Sequence, residues 1–477
     1  MGSASRLLKN TTVLLASNFA TKGLSALFII YLAIYLEDYG FGQYSFALSF
    51  AAVFVIFSDL GLDALTIKNV ARDGKVAGAY LESVGLLRLG LSVLMIIISL
   101  AIGYFMGLET HLLLVILVAG MAYMFDKVSG LFYAIFRARE RMELEAGTQI
   151  AWKLIQVGLG FGAIHFGFSL LGIMLVLLIS SVVKTIIGFT VLMREGVRPV
   201  GGAIKLKNLF RDAMPFAGYE VGNAIYMQIS IILLFLLRTP EETGWFAAGL
   251  RIIMFMLLIP SAFDAAIFPL FSKLYHTSAG DMNFAYGKSL KFSLLAAVPV
   301  AVMLAILAEP VAGIFGDVYD NTASAIIIMA ALLPLYTLNM LMKSALWSGD
   351  AQKSIAVNIW ISLAVLTTMS YFFIVEYAYT GAAVALVIAE SCFLALNYRD
   401  ARKKKFPMGL HLAKPVVAGI CMIFSAYGMY IILADEISRY HMALLAGLVY
   451  LLAILLMGAV TESDRAMLRR ALHRRKS

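Results

Sequence analysis

Cysteine is almost missing from this chain. Cys392 and Cys421 are the only two, and both sit in apolar runs. A disulfide framework and a cysteine metal site are therefore excluded. Proline is missing from the first 198 residues: all ten lie from Pro199 onward. Pro260, Pro299 and Pro334 fall inside apolar spans and should kink them, so the second half should be the more bent. Charged residues are only 14% of the chain. The few histidines have no metal-ligand spacing, and no metal is expected. No Walker loop and no nucleophile elbow is present, so the chain is not expected to hydrolyse ATP by itself. The N-terminus lacks the short apolar core and cleavage site of a signal peptide, and no processing is expected.

What the chain has instead is apolar length. Of its 477 residues, 61% are hydrophobic, and the mean hydropathy is +0.88. That composition belongs to a polytopic membrane protein, all-α in class. We read about fourteen apolar spans of roughly twenty residues or more. Six precede Arg194, six run from Asn208 to Tyr398, and two follow Arg399.

The scarce charges alternate between connections. Lys68, Arg72, Lys75, Arg137, Arg139, Arg141, Arg194, Arg198, Lys205, Lys207, Lys273, Lys353, Arg402–Lys405 and a tail from Arg465 to Lys476 share one set. The other set holds Glu37, Asp38, Glu109, Glu241, Glu242, Asp317, Asp320, Glu376, Asp435 and Glu436, with only Arg238 and Arg439 against them. Cytoplasmic loops carry the Lys and Arg excess, which places both termini in the cytoplasm of a cell (cytoplasmic) membrane protein. The net charge of +9 then follows from topology, and no nucleic acid is needed to explain it. The basic tail also suits a surface of anionic membrane lipids.

A weak internal repeat divides the chain. Glu37-Asp38-Tyr39-Gly40-Phe41-Gly42 introduces the second span, and Glu241-Glu242-Thr243-Gly244-Trp245-Phe246 introduces the eighth. Each is an acidic turn, then glycine, then an aromatic entering a long helix. Six spans between them preserve orientation, so two lobes should be related by an axis along the membrane normal. The expected division is residues 1–198, residues 199–400, and residues 401–477 with the last two spans and the tail.

The charges inside spans carry the chemistry. The stretch Gln43–Arg72 reads as one helix of roughly 45 Å, longer than a bilayer core. It holds Asp59 and Asp63 one turn apart and closes on Lys68 and Arg72. Such acids are candidates for coupling or gating, through a shared proton or Na⁺; the alternative is that they pair with basic residues. Lys22 falls near midplane, with Asn18 and Ser25 on its face, and Glu220 and Asn223 repeat that pattern in the seventh span. With Arg251 and Arg88 they are the candidate substrate-binding set; buried structural pairing is the alternative. Asp264 and Glu390 are further coupling candidates, although Glu390 also suits a helix-packing hydrogen bond. Lys153, Lys184 and Lys343 are close enough to helix ends to snorkel, and Asp126 and Lys127 to compensate each other.

Asn18 in the first span, Gly42-Gln43-Tyr44, Ser58-Asp59-Leu60-Gly61-Leu62 and Ala71-Arg72 together resemble the polysaccharide-export branch of the multidrug/oligosaccharidyl-lipid/polysaccharide (MOP) flippase superfamily. Pro215, Gly244-Trp245-Phe246-Ala247-Ala248, Pro260 and Pro269 resemble its second lobe. The chain departs from the family at Gln228-Ile229-Ser230, where an Asp is frequent. The resemblance implies a Wzx-type flippase with two six-helix lobes, a central cavity and two extra helices. It implies a polyprenyl-diphosphate-linked oligosaccharide as partner and alternating access as mechanism. No catalytic residue and no cofactor is expected, coupling to H⁺ or Na⁺ is open, and a monomer is expected. Two alternatives remain: a MATE-like multidrug or cation antiporter, and a membrane glycosyltransferase or polymer ligase. The outside loops are too short for the latter.

Overall fold

A computed structural model describes residues 3–200, 204, 206–406, 409, 412–433, 437–461 and 464; among these, the side chains of 3–16, 18, 206–208, 210–216 and 433 are not described. Asn18, Lys205, Lys207, Asp435, Glu436 and the tail from Arg465 to Lys476 thus fall outside the described residues or side chains. Everything described is helix and short connection. The α-helices are α1 (Ser3–Val55), α2 (Leu62–Arg72), α3 (Ala77–Phe105), α4 (Thr110–Ala138), α5 (Met142–His165), α6 (Leu170–Arg194), α7 (Leu206–Leu237), α8 (Pro240–Met256), α9 (Leu258–Thr277), α10 (Ala279–Ile306), α11 (Ala308–Ala312), α12 (Thr322–Met329), α13 (Leu332–Ser348), α14 (Gln352–Lys403), α15 (Ala413–Leu433) and α16 (Arg439–Leu456).

Nine of the described helices are long and apolar enough to cross a membrane, or eleven spans when each bent pair counts as one. Two of the nine are double. α1 breaks at Glu37 (φ 54°) and α14 at Ala378 (φ 53°). At the second break the chain turns sharply, since a Cβ on Gly381 would lie 2.0 Å from the Phe373 carbonyl oxygen. α5, with 24 residues, is long enough to cross but carries Glu143, Glu145 and Lys153. Splitting α1 and α14 and adding α5 reproduces the fourteen spans read from sequence. The chain is an all-α multi-pass membrane protein.

The breaks have physical causes. α8 and α9 meet at 42°, and α12 and α13 at 40°. Each break falls about four residues before a proline, Pro260 or Pro334. A proline ring clashes with the carbonyl one turn back and offers it no N–H. Pro299 lies inside the unbroken α10. The proline-free first 198 residues are not spared. The expected single helix over Gln43–Arg72 is in fact two: α1 ends at Val55, a 3₁₀ turn covers Ile56–Ser58, and Leu60 (φ 43°) and Gly61 (φ 81°) redirect the chain into α2. Gly61 supplies the left-handed conformation at little cost, where a residue with a side chain is strained.

The chain folds as two compact units. The first comprises residues 1–251, 315–319 and 356–389; the second comprises 252–314, 320–355 and 390–477. In the first unit the two acidic-glycine-aromatic turns meet. A Cβ on Gly42 would sit 1.8 Å from the Pro240 oxygen, and one on Gly244 would sit 2.2 Å from the Asp38 oxygen. The Trp245 indole N–H donates to Asp38 Oδ2 and to the Val318 carbonyl, each at 2.9 Å. In the second unit α10, α12, α13, α15 and α16 line an apolar groove of about 690 Å³.

Candidate functional site

The break at Asp59–Gly61 builds the first part of the site. It turns both carboxylates toward Arg88 of α3, whose side chain is 0% exposed. Arg88 Nη2 lies 2.5 Å from Asp59 Oδ1 and 2.9 Å from Asp63 Oδ1, and Nη1 donates to the Lys127 carbonyl at 2.8 Å. Lys127 Nζ is 3.5 Å from Asp59 Oδ2. Gly130 makes the room: a Cβ there would come within 3.3 Å of Asp63 Oδ2. Two acids and two cations compensate one another. The fork of one guanidinium reaches two carboxylates where a single ammonium would reach only one well. Lys68 and Arg72 are not the cations in contact, and Arg88 is enclosed rather than presented to a ligand in this structure.

The second part is carried by α4, α5 and α6. Lys184 donates to Asp126 Oδ1, and its ammonium lies 4.4 Å from the Trp152 ring centre and 5.3 Å from that of Tyr133. Lys153 lies 4.4 Å from the same Trp152 ring and donates to Gln156 Oε1 at 2.6 Å. Asp126 remains 42% exposed despite its ion pair. Asp126 and Lys127 form no ion pair in contact, and Lys127 acts on Asp126 only at longer range. Adjacent residues on a helix point about 100° apart, and each has a partner on another element. Lys184 does not snorkel. Toward the end of α4, Arg137 grips the fully buried Glu145 with two bonds of 2.8 and 2.5 Å, and Gln149 adds a third at 2.9 Å.

The third part surrounds Arg251 at the end of the first unit. It is half-buried, within electrostatic reach of Tyr44 and Tyr123, and Tyr123 is in turn within reach of Asp126. Lys22 is exposed on α1 and Ser25 beside it is half-buried, its hydroxyl returned to the Thr21 carbonyl at 2.7 Å. Among the described residues neither Lys22 nor Arg251 contacts a carboxylate. Glu220 is exposed on α7, and Asn223 accepts a bond of 3.4 Å from Tyr219.

The hydrogen bonds described at the coupling candidates of the second unit come from neutral donors, with Lys343 within electrostatic reach of Asp264. Asp264 Oδ1 accepts from Ser344 Oγ at 2.6 Å. Glu390 Oε1 accepts from Asn339 Nδ2 at 2.6 Å, and Asn339 accepts in turn from Asn397 at 3.1 Å. Sequence reasoning missed Asp464. It is buried beyond α16, bound by Lys288 and by Lys291, the latter at 2.5 Å, and by the Thr461 hydroxyl at 2.7 Å. Burial raises its pKa, but the two lysines and Thr461 together hold the carboxyl well below the usual range. Lys288 and Lys291, one turn apart on α10, were the available signal.

Residues 7–275 match the family described as polysaccharide biosynthesis protein. The chain belongs to this family. Among solved structures it resembles the lipid II flippase MurJ in an inward closed conformation, with a TM-score of 0.73 and 15% identity over 95% of this chain and all of that one. It also resembles an inward-facing multidrug resistance MATE family transporter of the MOP superfamily, with a TM-score of 0.60 and 16% identity over 78% of this chain and 94% of that one. A MOP superfamily transporter from Pyrococcus furiosus scores 0.60 at 16% identity, over 83% and 95%. No curated protein matches. At such identities the likeness is one of fold: this family member has the MOP fold of flippases and transporters, not the fold of a soluble enzyme.

Proposed function

We propose that this family member is a flippase that moves a polyprenyl-diphosphate-linked oligosaccharide across the cytoplasmic membrane by alternating access. The observation that carries the reading is a surplus of cations in the first unit. Four acids there are met by a cation: Asp59 and Asp63 by Arg88, Asp126 by Lys184, Glu145 by Arg137. Lys22, Lys153 and Arg251 are left without a carboxylate in contact among the described residues. A cation in a low-dielectric setting is stabilised by an arriving anion, and a diphosphate offers charge-assisted acceptors for several at once. The sugar would occupy the polar face near Lys22, Ser25, Glu220 and Asn223. An isoprenoid tail suits the surrounding lipid. A cationic drug would instead call for acids free of cations, whereas Asp59, Asp63, Asp126 and Glu145 are each already paired.

Complementation of a flippase-deficient strain tests this. Lys22→Ala and Arg251→Ala should abolish it while expression is kept, each contact being worth about 1.5–3 kcal/mol. Arg251→Lys should retain part of the activity. Both alanine variants flipping the lipid-linked sugar at normal rates would sink the reading, and retained export of cationic drugs would favour a multidrug antiporter. The charge alternation further places both termini in the cytoplasm. Single cysteines at Asp38 and Asp317 should then label from outside intact cells, and those at Arg139 and Lys404 should not.

A further inference from the structure

Lys153 and Lys184 stand out within the cation surplus, because one aromatic ring holds both. Each ammonium lies 4.4 Å from the Trp152 ring centre. Two like charges so close repel each other, and more strongly in a low dielectric than in water. Among the described residues one carboxylate, Asp126, contacts them, and it touches Lys184 alone; Glu145 acts on Lys184 only at longer range. Lys153 has only a neutral acceptor, Gln156. The indole N–H of Trp152 is buried with no acceptor, an unmet donor beside two ammonium groups. The pair thus holds two positive charges, one negative charge and a spare N–H. A purely structural α4–α6 ion pair would need neither Lys153 nor the surface exposure that Asp126 keeps.

We propose that Lys153 and Lys184, gathered on Trp152, form an anion subsite in which Asp126 stands in for an anionic group of the substrate, and that the arriving group displaces Asp126 from Lys184. The subsite rests on the reading of the chain as a flippase for an anionic lipid-linked sugar. Its ligand is a phosphate or a sugar carboxylate. Exchange leaves the number of ion pairs at Lys184 unchanged and adds one at Lys153. The released Asp126 keeps its exposed edge and stays within electrostatic reach of Lys127. No bond is made or broken, and the substrate can leave by the reverse exchange. Asp126 then serves as a built-in competitor that keeps binding reversible.

The two lysines and the acid predict opposite signs. Binding can be followed by tryptophan emission with the full chain in nanodiscs, using three probes: a polyprenyl diphosphate, the same lipid with a neutral sugar, and the same lipid with a uronic acid. Lys153→Gln should weaken binding roughly tenfold, as expected for a lost charge-assisted contact, and Lys153→Arg should restore most of it. Asp126→Asn should tighten binding severalfold, because the competitor is gone. A loss in all three probes identifies phosphate as the ligand, and a loss confined to the uronic acid identifies the carboxylate. The subsite is overturned if the wild type binds but Lys153→Gln leaves every isotherm unchanged. It is equally overturned if Asp126→Asn weakens binding in protein that melts like the wild type. If the wild type binds none of the three lipids, the flippase reading itself fails and the subsite with it.

Discussion

The two compact units solve the same problem, a carboxylate inside a membrane protein, in different ways. In the first unit four acids are met by cations: Asp59 and Asp63 by Arg88, Asp126 by Lys184, and Glu145 by Arg137. In the second, Asp264 accepts from a hydroxyl and Glu390 from an amide, while Asp464, Asp400 and Glu309 are met by cations. An acid locked to a guanidinium has little reason to change its charge. An acid met by neutral donors can take up a proton or a small cation without breaking an ion pair. The difference suggests a division of labour, with anion handling in the first unit and coupling in the second.

The most disruptive way to break the comparison is Arg88→Met. It strands two acids beside a fully buried site, and removing one partner of a buried ion pair costs about 3–5 kcal/mol. The melting temperature in nanodiscs should fall steeply, and Asp59→Asn with Asp63→Asn in the same chain should recover much of it. An unchanged melting curve would mean that Arg88 is not held this way in the working protein.

Next in size come Glu390→Gln and Asp264→Asn, read by flux into vesicles under a proton or Na⁺ gradient. Both variants should fold and lose most of their gradient dependence. Asp63→Asn should keep it. The reverse outcome, with dependence lost only in Asp63→Asn, moves coupling to the first unit.

Asp464 gives a smaller, pH-dependent effect. Its folded pKa lies below the ordinary value of about 3.9, so its stabilising contribution is complete above roughly pH 4 and fades as pH falls further. Asp464→Asn should lower the melting temperature at neutral pH by an amount equivalent to about 1–2 kcal/mol, and the gap to wild type should close in acid. A constant gap down to the lowest accessible pH would refute the assignment. The smallest effect is expected for Lys127→Gln, under about 1 kcal/mol, because that contact to Asp59 is long and partly exposed.

Much of this architecture was legible in the order of residues, for identifiable reasons. Apolar length and the acidic turns at Glu37 and Glu376 mark where spans end, because a bilayer imposes both. Pro260 and Pro334 announce breaks a turn upstream. The break at Gly61 was hidden by the apolar run before it, although Asp-Leu-Gly-Leu-Asp contains the one residue that turns left without strain. Partner choice was the least legible. Asp59 and Asp63 suggested Lys68 and Arg72, which are near in sequence. The partner is Arg88, brought in by the packing of α3 on the break. Lys184 and Asp126 find each other across α4 and α6 for the same reason, and one sequence carries no record of which helices touch.

The discontinuity of the first unit has a consequence in time. Trp360 of α14 donates its indole N–H to the Gly218 carbonyl of α7 at 2.9 Å, and Arg238, just after α7, binds the carbonyls of Ile374 and Val375 at 3.0 and 2.8 Å. These partners are synthesised about 140 residues apart, a lag of roughly 7–28 s at the usual pace of a ribosome. For that interval α7 is already made while the helix that covers it does not yet exist. The buried hydroxyls of Ser362 and Ser370 and the amide of Asn358 arrive late, and α7 waits in the bilayer or at the insertion machinery until they come. A ribosome stalled between α9 and α13 would therefore leave an incomplete first unit rather than a finished one awaiting its neighbour, and membrane quality control would meet it in that state.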